Sequence, residues 1–187
     1  MPIEQREGRR AFLKSPIRMP GAAEYEGRLF TGFLDHVHDV RMFLHAGDVR
    51  LTAELAEPLL ARYWSPQPQL ALGLALRGKA TAAMDISDGL LADCGHIAAA
   101  SGVALLIEQA QVPISAALLA FAGESAARQC ALSGGDDYRL AFTLPAEHLA
   151  GLQAQGWPVH VIGRVEAGSG VQLLDQRGQG ITPQARG

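Results

Sequence analysis

Hydrophobic positions change their period several times along this chain. Ala80 to Ile86 is small-residued and uncharged up to Asp85, which predicts a tightly covered strand. After Gly89, the residues Leu90, Cys94 and Ile97 recur at steps of three or four, an apolar helical stripe that Ser101-Gly102 stops. Val103 to Ile107 reads as a strand, Val112-Pro113 as a turn and Ser115 to Phe121 as a helix. Tyr138, Leu140, Phe142 and Leu144 alternate with Arg139, Ala141 and Thr143, the pattern of a half-buried strand that ends at Pro145. Pro145 to Gln155 predicts a helix with Leu149 and Leu152 on one face. Val159 to Val165 and Val171 to Leu174 predict two strands around a turn over 166–170. Upstream, Leu70, Leu74 and Arg77 define a short helix before Gly78. Thr52 caps an earlier helix in which Leu55, Leu59 and Tyr63 share a face, with Pro58 kinking it or starting a second turn. Strands alternating with helices predict an α/β layered domain with a mixed β-sheet flanked by helices, because each helix must bury its stripe against a sheet face.

Residues 1–51 keep no such period. They mix Glu4, Arg6, Glu7, Arg9 and Arg10 with Pro16, Pro20, Gly21, Gly27 and Gly32, which does not build a core alone. They are read as an irregular N-terminal arm, disordered or a remnant, ahead of a domain over 52–187. Within the arm, Asp35, His36, His38, Asp39, His45 and Asp48 offer donors for a transition metal. His36 and His38 are two apart, which suits a strand and not a helix, and no coordination pattern is completed, so a polar exposed segment is the default. Trp64 is read as a packing residue, with stacking on a ligand ring as the lesser alternative.

Charge and cysteine usage narrow the classes. A net charge of −3 over 187 residues gives no electrostatic case for nucleic acid or an anionic membrane. No apolar run approaches the ~20 residues needed to span a bilayer, and no signal sequence opens the chain, so a cytoplasmic location is predicted. Cys94 and Cys130 form no Cys-x-x-Cys pair; Cys94 lies on its helix's apolar stripe and is expected to be a buried, reduced thiol.

Chemistry concentrates in two turns. In Asp85-Ile-Ser87-Asp88-Gly89, a strand runs straight into a helix. Ser87 or Asp88 is a natural N-cap there. Side chains alternate along a strand, so Asp85 and Ser87 point the same way and Asp88 follows at the helix start. Three hard oxygen donors so close together suit Mg²⁺, and a helix N-terminus attracts phosphate. From spacing alone the default is an N-cap with two solvated acids, because helix starts routinely carry Asp and Ser. In the second turn, Ser133-Gly134-Gly135-Asp136-Asp137-Tyr138, two glycines permit close backbone approach and acids follow at once. By itself it reads first as an acidic hairpin turn.

Together, Asp85-Ile-Ser-Asp88-Gly-Leu-Leu-Ala-Asp93 and Ser133-Gly-Gly-Asp136-Asp-Tyr138 resemble the C-terminal half of the thiamine-monophosphate kinases, which make thiamine diphosphate from thiamine monophosphate and ATP. Arg62-Tyr-Trp-Ser-Pro66-Gln-Pro68-Gln-Leu70-Ala-Leu-Gly73 resembles the segment before the family's acidic strand, and Val161-Ile-Gly163-Arg164-Val165 with Gly170-Val171 resembles its closing hairpin. The resemblance runs over about residues 52 to 187 and implies the fold of the C-terminal domain of AIR synthase-like proteins. It implies that Asp85 and Asp88 each hold Mg²⁺, that Ser87 contacts ATP and that Asp136 contacts thiamine monophosphate. Asp136 stands where the family has glutamate, so its carboxylate is withdrawn by one methylene, and contact through a bridging water is the alternative. No residue is assigned as a nucleophile or proton-transfer catalyst, because neither Ser87 nor Ser133 has a base partner evident in sequence.

The family's N-terminal domain supplies further acidic metal ligands, much of the nucleotide site and the dimer contact, and its short C-terminal tail carries an aromatic residue. Neither is recognisable here, so the chain is read as a fragment or shortened product whose partner is a separate N-terminal half or a second copy. Three alternatives stand beside the kinase: a catalytically inactive fragment, a phosphate- or Mg²⁺-binding regulatory module, and another ATP-dependent enzyme of the AIR synthase group.

Overall fold

The computed structural model describes residues 28–33, 65–136 and 138–182. The helix expected from Thr52, the His36/His38 group, Trp64 and Asp137 lie outside the described residues. In chain order the elements are β1 (Arg28–Phe33), α1 (Leu70–Ala75), β2 (Ala82–Asp85), α2 (Leu90–Ser101), β3 (Val103–Glu108), α3 (Ala116–Ser133), β4 (Leu140–Pro145), α4 (Leu149–Ala154), β5 (His160–Ala167), β6 (Gly170–Leu174) and β7 (Gly180–Ile181).

The described strands form one seven-stranded sheet in the order β2-β4-β1-β5-β3-β6-β7. It is mixed: β3 and β6 run parallel, and the other neighbours run antiparallel. Helices lie against both faces. On one, Leu90, Cys94 and Ile97 of α2 and Ala131 and Leu132 of α3 pack on Leu105, Ile107, Ala141, Ile162 and Val165. On the other, Leu72 and Leu76 at α1 and Leu152 of α4 pack on Phe142 and Leu144. Each large side chain fully buried this way stabilises the fold by about 1.5–3 kcal/mol. Neighbouring residues of β4 thus enter opposite clusters, as the two-residue period of a strand requires.

Several expectations change. β4 is not half-buried: it lies between β2 and β1, so Ala141, Phe142, Thr143 and Leu144 are all buried. Thr143 meets the burial requirement by hydrogen bonding to the Thr81 hydroxyl at 2.7 Å. β2, expected to be tightly covered, lies at the edge of the sheet among the described residues, with Ala83 and Asp85 exposed. The short helix near Leu70 exists but turns its other face inward, burying Leu72 and Leu76 while Leu70 and Leu74 are 75% and 63% exposed. β5 and β6 do not form a hairpin. Both pair with β3, which lies between them, and the link at Gly168 and Ser169 arches over the start of that strand. β1 falls within the stretch where the sequence indicated no element, and it occupies an interior place between β4 and β5.

α3 runs beyond the predicted end at Phe121, through a break at Gly123 (φ 75°, ψ 164°), to Ser133. Its start is capped by Ser115, whose Oγ accepts the Leu118 N–H at 3.0 Å. Ser115→Ala removes that acceptor and is expected to lower unfolding stability by about 1 kcal/mol, read as an earlier urea midpoint at unchanged slope. A midpoint identical to that of the wild type would show that the cap carries no weight.

Candidate functional site

The two acidic turns meet because β2 and β4 pair antiparallel with Asp85 opposite Leu140. The first turn leaves the end of β2 and the second enters the start of β4, so that register sets them side by side. The ladder continues past both strands. Ile86 N–H donates to the Arg139 carbonyl at 2.8 Å, Tyr138 N–H to the Ile86 carbonyl at 2.8 Å and Asp136 N–H to the Ser87 carbonyl at 2.9 Å. Glycines allow the approach. A Cβ on Gly135 would fall inside contact distance of the Ser87 carbonyl oxygen, and one on Gly89 would come within 2.9 Å of the Ser133 carbonyl group.

Neither Ser87 nor Asp88 caps α2. The capping position is Gly89 (φ 113°, ψ 148°), with no side-chain cap. Asp93 instead reaches back from the first turn of the helix, and its Oδ2 accepts the N–H of Ser87 at 2.8 Å and of Asp88 at 3.0 Å. Asp93 is 1% exposed. The negative charge that favours a helix start is therefore supplied from inside the protein. Sequence reasoning missed this carboxylate, although it sits on the apolar stripe between Leu90 and Cys94, where an acid must be satisfied internally. Asp88, Asp93 and His96 bring one ligand atom each within 4.8 Å of one another.

In the second turn, Asp136 (φ 60°) and Tyr138 (φ 54°) adopt left-handed backbone conformations, which cost a bulky residue such as Tyr about 1–3 kcal/mol and cluster at ligand sites. The Tyr138 hydroxyl donates to Asp136 Oδ1 at 3.0 Å, orienting that carboxylate. Asp85 and Tyr138 line an open, mainly apolar cavity of about 700 Å³ together with Pro68, Leu70, Leu74 and Leu140. The exposed faces of Leu70 and Leu74 thus belong to the rim of the acidic site.

The residues present fit a divalent cation. Asp85 and Asp88 are exposed, and among the described residues their carboxylates make no hydrogen bond or ion pair. Such free oxygen donors suit Mg²⁺, which keeps several waters and binds through one or two carboxylates plus phosphate. Ser87 is half-buried. Its N–H is held by Asp93 and its carbonyl by Asp136, which leaves the hydroxyl to meet a ligand.

Cys94 is buried, and burial, then the neighbouring Asp93 charge, pushes its thiol well above the usual range. It stays protonated and unreactive at neutral pH. Cys94 and Cys130 are both free and buried, so the native chain is expected to resist thiol reagents and to label at both positions only in denaturant. Fast native labelling of Cys94 would contradict this burial. Among the described residues, no helix is long and apolar enough to cross a membrane.

Comparison with known proteins places the chain in a family. A thiamine-monophosphate kinase of Salmonella typhimurium is 39% identical over 116 residues, which cover 60% of this chain and 36% of that enzyme. That of Caulobacter vibrioides is 36% identical over 137 residues, covering 69% and 39%. Among solved structures, a thiamine-monophosphate kinase from Stenotrophomonas maltophilia superposes with a TM-score of 0.69 at 37% identity, over 79% of this chain and 50% of that one. AaThiL complexed with AMPPCP and TMP gives 0.70 at 29%, over 84% and 50%. The chain therefore spans half or less of each of these four relatives. The family described as AIR synthase related protein, C-terminal domain, matches residues 40–176, and with most of the chain covered by that match, the protein belongs to the AIR synthase related family.

Proposed function

We propose that this chain carries the C-terminal half of an ATP-dependent kinase that phosphorylates thiamine monophosphate to thiamine diphosphate. The observation that carries the reading is the backbone ladder joining the two acidic turns, which sets Asp136 against Ser87 and Tyr138 beside Asp85. In this reading Asp85 and Asp88 hold Mg²⁺, Ser87 contacts a phosphate of ATP through its hydroxyl, and Asp136, oriented by Tyr138, contacts the vitamin phosphate directly or through water. Bound Mg²⁺ supplies neutralisation of the charge between two anionic reactants. The chain's own residues contribute position: phosphoryl transfer needs little covalent chemistry from the protein, and no nucleophilic side chain is required. The apolar cavity beside Asp85 offers a surface for the organic rings whose phosphate end reaches the acids. A separate N-terminal half or a second copy completes the site, and the setting is the cytoplasm.

A second reading, an inactive fragment or a phosphate- and Mg²⁺-binding module, draws on the 36% of the Salmonella typhimurium kinase that the match spans. The full chain should be mixed with ATP, Mg²⁺ and thiamine monophosphate, with and without the N-terminal half of the Salmonella enzyme. ADP release coupled to thiamine diphosphate in either mixture supports the kinase. Nucleotide binding with no turnover in both supports the module and sinks the kinase reading.

A further inference from the structure

We infer that Asp93 is a positioning residue that preorganises the Ser87-Asp88 turn for a divalent cation. The inference rests on the proposed metal role of Asp88. Asp93 stands in the first turn of α2 and is almost fully buried. Removing a carboxylate from water is costly unless hydrogen bonds or charges satisfy it. Among the described residues, no ion pair involves Asp93. Its compensation is instead the pair of amides from Ser87 and Asp88, at 2.8 and 3.0 Å on one oxygen, reinforced by the positive end of its own helix.

Hydrogen bonds to a charged acceptor are about twice as strong as neutral ones, and these two fall on the two residues whose side chains are proposed to meet nucleotide and metal. The turn is fixed from the other side as well, where the Ser87 carbonyl accepts the Asp136 N–H at 2.9 Å. With both sides of the Ser87 peptide unit held, the Asp88 side chain leaves the backbone from a single direction. Its carboxylate is then already near the place where a cation binds, and ordering the turn does not weaken that binding. Asp93 Oδ2, which accepts both amides, is committed to the backbone, so that oxygen orients the turn and is not itself a ligand. Supporting groups around metal ligands typically change affinity by about 10- to 100-fold when removed.

The test uses the full chain and Mn²⁺ as the probe, titrated by electron paramagnetic resonance well below every variant's melting temperature. Asp93→Asn keeps the side-chain shape and removes the charge; Ile97→Ala destabilises the same helix from the core at a position two turns away from the Ser87-Asp88 turn. The expected result is a Kd for Mn²⁺ raised about tenfold or more in Asp93→Asn and unchanged in Ile97→Ala. Affinity within twofold of wild type in Asp93→Asn, or an equal loss in Ile97→Ala, overturns the inference, as does absence of saturable Mn²⁺ binding in wild type. The kinase reading is judged separately by ADP release, so its failure is distinguishable. Should Asp93→Asn not fold, amide exchange of the wild-type chain decides: slow exchange at Ser87 and Asp88 supports the clamp, and exchange at the free-peptide rate overturns it.

Discussion

Asp85→Asn and Asp88→Asn should each reduce phosphoryl transfer by more than about 100-fold if they ligate Mg²⁺ as proposed, beyond the roughly 10- to 100-fold that a group merely supporting a metal ligand costs, while the fold stays intact. The reason is the environment of the two acids. Both are exposed and unpaired among the described residues, so replacing a carboxylate with an amide of the same shape leaves no buried group unsatisfied and opens no cavity. What disappears, on the proposed role, is one negative oxygen ligand, and a hard cation binds a neutral amide oxygen more weakly than a carboxylate. The melting temperature should therefore remain close to that of wild type as activity falls, and raising Mg²⁺ should recover part of the rate. The measurement is ADP release in whichever mixture of chains is active. Full turnover of Asp85→Asn and Asp88→Asn at saturating Mg²⁺ would remove both from the metal site.

Gly135→Ala is expected to damage the fold itself, by about 3 kcal/mol, the top of the usual range for overpacking. The added methyl meets the Ser87 carbonyl oxygen, which is backbone and part of the ladder between the turns. No side chain can rotate away to make room, so the turns must separate and the Asp136 to Ser87 hydrogen bond must lengthen or break. Gly89→Ala should act in the same direction for two reasons: its φ of 113° lies in a region essentially reserved for glycine, and its Cβ would approach the Ser133 carbonyl group. Gly95 is the control. It lies within α2 with nothing within 4 Å of an added Cβ, so Gly95→Ala should stabilise by about 0.5–1 kcal/mol through helix propensity. Denaturant unfolding of the three variants separates these cases. A Gly135→Ala chain as stable as wild type would mean that the two turns are not in backbone contact.

Period alone located most of the elements. The stripe of Leu90, Cys94 and Ile97 gave α2 and its stop at Ser101-Gly102, and the small residues before Asp85 gave β2. Local patterns failed where partners decide. The alternation in β4 looked half-buried because Ala141 and Thr143 are small or polar, yet both are covered once strands lie on either side. Leu70 and Leu74 share a helical face as well as Leu72 and Leu76 do, and only the position of Phe142 and Leu144 settles which pair goes inward. Residues 166–170 carry turn-forming chemistry suited to a hairpin, but β3 lies between the strands they join, and periodicity contains no information on pairing.

The candidate site divides in the same way. The sequence by itself determined which groups are available: Asp85, Ser87, Asp88 and Asp136, with glycines placed where backbones must touch, and a fold built of alternating strands and helices. Tertiary structure alone decided that they form one site, because the register of Asp85 against Leu140 joins turns that lie far apart along the chain. It also assigned the capping position to Gly89 and gave Asp93 the task of holding the turn. A side chain's charge and hydrogen-bonding capacity are local properties, fixed once the residue is chosen. Its partner and burial depend on which strands pair and which faces are covered, and those follow from packing across the whole sheet.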